Sequence, residues 1–218
     1  KPTWAGGPMQ DGEIITETTG DALRHGNLAA VDVMVGATSL DIGFNFFKDK
    51  DGLFASFGPH VEKAREVYDP TGEAPFQAVG YAVGQDRSMQ EPARFVAEQI
   101  TEMGQQAFYY RFGTVAESVD SPGAPHASDI PFFFNTVAAK YGEALTEQDI
   151  AAADTIHQYI VSFAKTGQPS SESGVQWQVF DPAKSNMLNM TRNGTVEHGS
   201  DPWKARLDVV KAAIESSN

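Results

Sequence analysis

One histidine and one aspartate are the residues of this sequence whose type and setting best suit chemistry. His126 lies within residues 123–135, where glycine and prolines predict a loop and a run of phenylalanines follows. We expect this aromatic run to bury itself and to anchor the loop against a core. An imidazole on an anchored loop suits a general base, which must keep its geometry to within about 0.5 Å. The alternative is a polar turn residue beside a hydrophobic anchor, and this segment alone does not separate the two.

Asp41 is the candidate partner of His126. It follows a β-branched run at residues 31–36 that predicts a strand, and His126 follows a second, aromatic strand predicted at residues 106–112. Functional loops cluster at the ends of strands in α/β sheets. A carboxylate that accepts the Nδ1 proton of a histidine fixes its tautomer and stabilises the imidazolium. Nε2 is then left to activate a hydroxyl nucleophile, which is too weak on its own.

The nucleophile that such a pair needs is not found in this sequence. The α/β-hydrolases carry serine, acid and histidine in that order along the chain, so a serine is expected upstream of Asp41. No Gly-x-Ser-x-Gly motif occurs, and no glycine-rich segment suited to an oxyanion hole precedes Asp41. These absences predict that the front part of the protein has been removed or lies on another polypeptide.

The elements that must position these residues alternate between helices and strands. The two longest helices are expected at residues 91–103 and 146–165, and Ile150 belongs to the predicted buried stripe of the second. A helix at 91–103 followed by a strand at 106–112 is one half of the repeating unit of a parallel sheet. Further predictions are helices at 21–25, 61–68 and 201–216, a short extended piece at 13–16, a charged turn rather than a calcium loop at 48–52, a strand or extended arm at 175–180 and a short strand at 187–190.

Composition excludes several classes of function. The net charge of −13 leaves no basic surface for nucleic acid, and it argues against an anionic membrane surface. Because the sequence has no cysteine, it excludes disulfides, thiolate zinc sites and cysteine nucleophiles. No apolar run approaches the roughly 20 residues that a membrane helix needs. The compartment is not determined by these features, although a secreted or periplasmic location is favoured over a cytoplasmic one.

Five pieces of the chain, all in the expected order, resemble type-B carboxylesterases, the cholinesterase-like serine hydrolases. They correspond to the strand and turn of the acid, the strand and loop of the histidine, and the helix end, Gly-x-Pro loop and tryptophan-containing segment that come next. The histidine loop has the family's form Gly-x-x-His-x-x-Glu/Asp, followed by apolar and aromatic residues. The pieces are DGEII with VMVGATSLD at 11–15 and 33–41, FYYRF at 108–112, GAPHASDIPFFF at 123–134, FAKTGQPS at 163–170 and VQWQVF at 175–180.

This resemblance implies an α/β fold, namely the C-terminal portion of an α/β-hydrolase, with a mostly parallel sheet flanked by helices, which is incomplete without an N-terminal portion. Asp41 takes the acid position, His126 takes the base position, and Asp129 takes the supporting acidic position three residues after the histidine. Residues 1–218 are then the C-terminal part of one domain. The family most often has glutamate at the acid position, and aspartate is shorter, so the acid loop must approach the histidine more closely.

The implied function is carboxylic ester hydrolysis through an acyl-enzyme, with no metal or organic cofactor. The expected partners are an N-terminal portion carrying Gly-x-Ser-x-Gly and a small-molecule ester, and the chain alone is predicted to be inactive and to expose an apolar edge and face. One alternative is a non-catalytic binding or adhesion module of the same fold, against which the retained acid and histidine weigh. Another is a self-contained α/β domain in which Asp41 and His126 are ordinary loop residues.

Overall fold

The computed structural model describes residues 10–216. It contains a mixed four-stranded sheet with helices packed against both faces. The strands are β1 Val33–Thr38, β2 Ala107–Phe112, β3 Asn186–Met190 and β4 Val196–Ser200, in that spatial order. The helices are α1 Thr19–His25, α2 Lys50–Ala55, α3 Val61–Tyr68, α4 Phe76–Gln85, α5 Glu91–Glu102, α6 Ile130–Phe133, α7 Val137–Tyr141, α8 Glu147–Thr166 and α9 Lys204–Glu215. Short 3-10 turns occur at Gly58–His60 and Gly142–Ala144, and a π-turn spans Asp86–Gln90.

The aromatic strand β2 forms the centre of the sheet. It runs parallel to both β1 and β3, and all six of its residues are buried. Its side chains alternate between the two faces, so Phe108 shares a core cluster with Ile156 of α8, whereas Tyr109 shares one with Ile100 of α5. Within residues 10–216 two strand pairings, β1 with β2 and β2 with β3, are parallel, and the pairing of β3 with β4 is antiparallel. The sheet is therefore mostly parallel. This arrangement confirms the predicted fold class, and burial on both faces explains why β2 is apolar apart from Arg111.

Strand β1 has a neighbour on only one side within residues 10–216. Its first four residues are half-buried, in contrast to the fully buried residues of β2. An open sheet edge carries N–H and C=O groups that have no partner strand, and parallel sheets are normally covered. The exposed edge of β1 therefore leaves room for a further strand.

Gly36 lets β1 and β2 approach each other closely. A Cβ atom at this position would lie 2.2 Å from the Tyr110 carbonyl oxygen and 2.6 Å from the Tyr110 ring. We expect Gly36→Ala to lower the free energy of unfolding by about 1–3 kcal/mol, because the extra methyl overpacks the sheet. Urea denaturation measures the change. Gly199→Ala is the matched control, since nothing lies within 4 Å of a Cβ there; equal losses for the two variants would contradict the steric explanation.

Most of the predicted elements are present, with ends shifted by up to three residues. The helices predicted at 61–68 and 91–103 are α3 and α5, and Thr146 caps α8 in a capping box with Asp149. The predicted buried stripe of α8 is wrong at Ile150, which is 44% exposed because it lies outside the buried face of the helix. The buried residues of α8 are Asp149, Ala152, Ala153, Ile156 and Tyr159.

Two predictions in the first quarter of the chain are wrong for the same reason, a side-chain carboxylate that caps backbone amides. Residues 13–16 form no strand, because the Asp11 carboxylate accepts hydrogen bonds from three consecutive amides of this segment. The charged turn expected at 48–52 instead begins α2. There Asp49 accepts a hydrogen bond from the Gly52 amide at 2.7 Å, as an N-cap does.

The segment at 175–180 is an extended arm rather than a strand. Trp177 and Phe180 are its buried residues, so its contacts with the core do not follow the period of two that its sequence suggests. The sequence does not predict α4 or β4 at all. Among the helices within residues 10–216, none is long and apolar enough to cross a membrane.

Candidate active site

The loops that follow β1 and β2 are joined by a short parallel pairing beyond the ends of the two strands. The Leu40 amide donates to the Ala124 carbonyl at 2.9 Å, and Leu40 pairs with Pro125. The next residues along the two loops are Asp41 and His126. The register of this pairing therefore places the acid opposite the histidine, although the two are far apart in sequence.

Small residues make this pairing possible. The Ser39 side-chain oxygen accepts a hydrogen bond from the Ala124 amide at 2.9 Å. A Cβ atom at Gly123 would lie 3.0 Å from that oxygen and 3.1 Å from Leu40 Cβ, so the loops pack at glycine distance. Directly after the histidine, Ala127 has a φ of 62°, a left-handed conformation that is uncommon outside glycine. The loop turns sharply there, and His126 stands at its tip.

His126 and Asp41 form a direct hydrogen bond. His126 Nδ1 lies 2.6 Å from Asp41 Oδ1, and the Asp41 side chain is 3% exposed whereas that of His126 is 52% exposed. An ionised carboxylate can only accept, so Nδ1 carries the proton. Within residues 10–216 no hydrogen-bond partner reaches Nε2. The geometry leaves Nε2 available to take a proton from a group outside this pair.

Hydrogen bonds keep the buried Asp41 carboxyl ionised. Burial by itself raises the pKa of this carboxyl, but the hydrogen bonds from Ile42, Thr38 and His126 outweigh burial and hold the pKa below its usual value of 3.8. The Ile42 amide donates to Oδ1 at 2.8 Å, and the Thr38 amide donates to Oδ2 at 3.0 Å. Asp41 is therefore a fixed negative charge at neutral pH, which is what a partner that stabilises an imidazolium must be.

Asp129 lies beside the pair without bonding to it. Its side chain is half-buried, and its carbonyl oxygen accepts from the amides of Phe132 and Phe133 at the start of α6. Burial raises the pKa of the Asp129 carboxyl, and the negative charge of Asp41 adds to that rise. The structure thus brings all three predicted residues into one region, with a direct contact between two of them.

The phenylalanine run behind His126 anchors the loop only in part. Phe132 is fully buried against Phe112 of β2, with ring centroids 5.4 Å apart, whereas Phe134 is 69% exposed. The prediction that the whole run buries itself is therefore wrong, because α6 turns successive residues to different sides. His157 of α8 secures the same segment from behind, with its Nδ1 atom 2.7 Å from the Phe133 carbonyl oxygen.

A mainly apolar cavity of about 490 Å³ opens beside His126. Val115, Val119 and Tyr141 contribute to its wall, and this size falls within the range of about 300–1,000 Å³ that small-molecule sites occupy. Within residues 10–216 no three histidine, cysteine or acidic side chains are grouped so that they could hold a metal ion. The arrangement therefore offers a proton-transfer pair next to an apolar site for an organic molecule.

Sequence reasoning misses the side chains that α4 places against the acid. The Tyr81 hydroxyl donates to the Asp41 carbonyl, and Gln85 Oε1 accepts from the Asp41 amide at 3.2 Å. The two glycines of α4 weaken its helical pattern, which hides this role. Pro92 also hides it, because a proline in the first turn of the helix predicted at 91–103 indicates a helix start there.

These features together define a class of protein. A mostly parallel sheet covered on both faces, with an acid after one strand and a histidine after the next, is the C-terminal arrangement of an α/β-hydrolase. The sequence profile of the carboxylesterase family matches residues 62–207. The chain belongs to the carboxylesterase family, as the sequence predicts.

Solved structures and curated relatives agree with this assignment. The structure of a PNB esterase superposes with a TM-score of 0.73 at 20% identity, covering 93% of this chain and 43% of that chain. The carboxylesterase EST55 of Geobacillus stearothermophilus gives a TM-score of 0.69 at 21% identity, covering 94% of this chain and 45% of that one. At such identities these two structures support the fold alone.

Two curated relatives are similar in sequence. Phenmedipham hydrolase of Pseudarthrobacter oxydans is 28% identical over 136 residues, which are 58% of this chain and 27% of that protein. Gut esterase 1 of Caenorhabditis elegans is 34% identical over 79 residues, or 35% of this chain and 14% of that protein. The chain spans less than half the length of each of these relatives and structures.

Proposed function

We propose that this chain supplies the general base, His126, and the acid, Asp41, of a serine carboxylesterase. The observation that carries the proposal is the 2.6 Å hydrogen bond between His126 Nδ1 and the buried, ionised Asp41 carboxylate. Membership of the carboxylesterase family supports an ester as the substrate. The apolar cavity beside His126 supports a small organic ester, and the reaction proposed needs no metal or cofactor.

The proposed nucleophile is a serine outside these 218 residues, within an N-terminal part that carries Gly-x-Ser-x-Gly. In this proposal residues 1–218 are the C-terminal part of one hydrolase domain. Two observations support it, namely the open edge of β1, which a further parallel strand would cover, and the greater length of the relatives.

Asp129 is assigned a supporting role, since its backbone begins α6 and its carboxyl does not contact the histidine ring. The secreted or periplasmic location stays a prediction.

The proposed reaction has two halves that use the same proton path. His126 Nε2 takes the proton of the serine hydroxyl as its oxygen attacks the ester carbonyl, and the imidazolium then returns that proton to the departing alkoxide. Water enters, gives its proton to Nε2 and attacks the acyl-serine, and the serine leaves with the proton. Throughout, the negative charge of Asp41 stabilises the imidazolium through Nδ1.

Labelling with a serine-reactive phosphonate tests where the nucleophile lies. In the complete protein that contains these residues, we expect one phosphonylated serine, and peptide mapping should place it in a Gly-x-Ser-x-Gly sequence outside the chain described here. The 218-residue chain by itself should take up no label, because within residues 10–216 no hydroxyl bonds to His126 Nε2.

Ser39→Ala and Ser128→Ala are the matched controls, because Ser39 contacts the histidine loop and Ser128 lies within it. Ser39 is engaged with the Ala124 amide and Ser128 Oγ is buried, so the complete protein should still be labelled in both variants. Label on either of these serines, or labelling of the isolated chain, would overturn the proposal that the nucleophile lies elsewhere.

A further inference from the structure

Residues 76–102 form one continuous helix that is interrupted by a π-turn. The backbone stays helical from α4 through Asp86–Gln90 into α5, and the Glu91 amide donates to the Asp86 carbonyl five residues earlier. Pro92 explains the interruption. It has no amide hydrogen, and in a regular α-helix its ring would clash with the carbonyl of Ser88, so the helix widens by one residue just before it.

One face of this helix lies against the acid loop. Tyr81 and Gln85 bind the backbone of Asp41 as described above, and Ser88 Oγ donates to the Ile42 carbonyl at 2.8 Å. These three positions are spaced by four and three residues, so they share a face of an α-helix. A Cβ atom on Gly84, which lies on the same side, would approach the Phe44 carbonyl oxygen to 2.5 Å. The helix and the acid loop are therefore in tight contact.

Gln90 reaches the same loop only because of the π-turn. In an uninterrupted α-helix it would lie about 140° around the axis from Gln85. The wider turn brings residues five apart toward one side, and Gln90 Nε2 donates to the Thr38 carbonyl at 2.7 Å. Gln90 is 1% exposed, and its Oε1 accepts from Arg111 Nε at 3.2 Å, which fixes the orientation of its amide.

Thr38 is the residue through which Gln90 acts on the acid. Its amide donates to Asp41 Oδ2, while its carbonyl accepts from Gln90, so both of its backbone groups are engaged. The geometry points to Gln90 as a positioning residue for the proposed acid–histidine pair, placed by the Pro92 π-turn. It holds the end of β1 so that the Asp41 carboxylate meets His126 Nδ1. The expected effect of Gln90 on catalysis rests on the proposed function. Its expected effect on the hydrogen bond between Asp41 and His126 does not depend on that function.

Two substitutions of Gln90 in the complete protein test this inference. Gln90→Met removes both hydrogen bonds at similar volume, and Gln90→Glu keeps an acceptor for Arg111 but cannot donate to the Thr38 carbonyl when it is ionised. We expect both to lower kcat by about 10- to 100-fold at nearly unchanged KM, because small misplacements of reacting groups have effects of this size. We also expect the downfield proton resonance of the His126–Asp41 hydrogen bond to shift or broaden in both. Gln99→Met, on the same helix but bonded to Glu102 near the surface, should change neither.

A purely structural role for Gln90 would lower the melting temperature while leaving kcat and the resonance as in the parent protein, and that result would overturn the inference. If Gln90→Met fails to fold, the Gln90→Glu variant decides alone. Failure of the proposed function is distinguishable, because a parent protein without esterase activity still shows, through the resonance, whether Gln90 holds the pair together.

Discussion

Replacing His126 by alanine in the complete protein is expected to lower kcat for ester hydrolysis by at least about 10⁴-fold, the scale on which triad members act. The reason is geometric, since His126 Nε2 is the free nitrogen of a ring whose other nitrogen is held by a buried carboxylate. Asp41→Asn should cause a loss of the same order, because an asparagine amide can favour the wrong tautomer of the ring. Steady-state kinetics with a chromogenic ester measures both.

His60→Ala is the matched control for this experiment. His60 is a half-buried histidine whose Nε2 atom lies 3.0 Å from the Ser216 hydroxyl, a residue that takes no part in the site. It should keep parent kcat and KM. Retention of more than a few per cent of the activity by a folded His126→Ala variant would remove the histidine from the mechanism, and thermal melting of each variant shows whether it is folded.

Asp201→Ala is expected to lower the free energy of unfolding by about 3–5 kcal/mol, the usual effect of breaking one side of a buried ion pair. Arg111 and Asp201 are 2% and 3% exposed, and their side chains meet through two hydrogen bonds of 2.7 and 3.1 Å. The Arg111 guanidinium also lies 3.9 Å from the centre of the Trp203 ring. Removal of the carboxylate leaves a guanidinium without its counter-charge between the sheet and the segment leading to α9.

A double-mutant cycle separates the ion pair from the loss of packing. Arg111→Met in the Asp201→Ala background should recover part of the lost stability, because no buried charge is then left uncompensated. Glu66→Ala breaks the exposed pair with Lys63 and should cost less than about 1 kcal/mol. Chemical denaturation gives all of these values. Equal effects of Asp201→Ala and Glu66→Ala would show that the buried pair contributes no more than an exposed one.

The parts of the fold that the sequence predicts well are those in which local pattern and tertiary environment agree. Strand β2 is aromatic and apolar apart from Arg111 and is buried throughout, and α8 has both a capping box and a long periodic pattern. The extended arm around Trp177 is different, because its contacts with the core are tertiary and follow no local period. The helix α4 is missed because its glycines, which the close contact with the acid loop requires, weaken its helical pattern.

For the site, the sequence predicts which residues take part but not what holds them. Asp41 and His126 follow strands and sit among turn residues, so their position at one edge of the sheet can be inferred. The supporting groups cannot, because Gln85 and Gln90 approach the acid from a helix more than forty residues further along the chain. Gln90 lies on the same side of that helix as Gln85 because of a π-turn. The single extra residue of the π-turn leaves no periodic pattern in the sequence.

The open edge of β1 has a consequence for how the protein is made. Between Val33 and Thr38 this strand has no lysine, proline or other residue of the kind that keeps sheet edges from pairing with one another. A copy released without a covering strand can therefore pair with other copies, a tendency that the net charge of −13 opposes only through mutual repulsion. If the proposed N-terminal part supplies the covering strand, its presence during synthesis would protect this edge from such pairing.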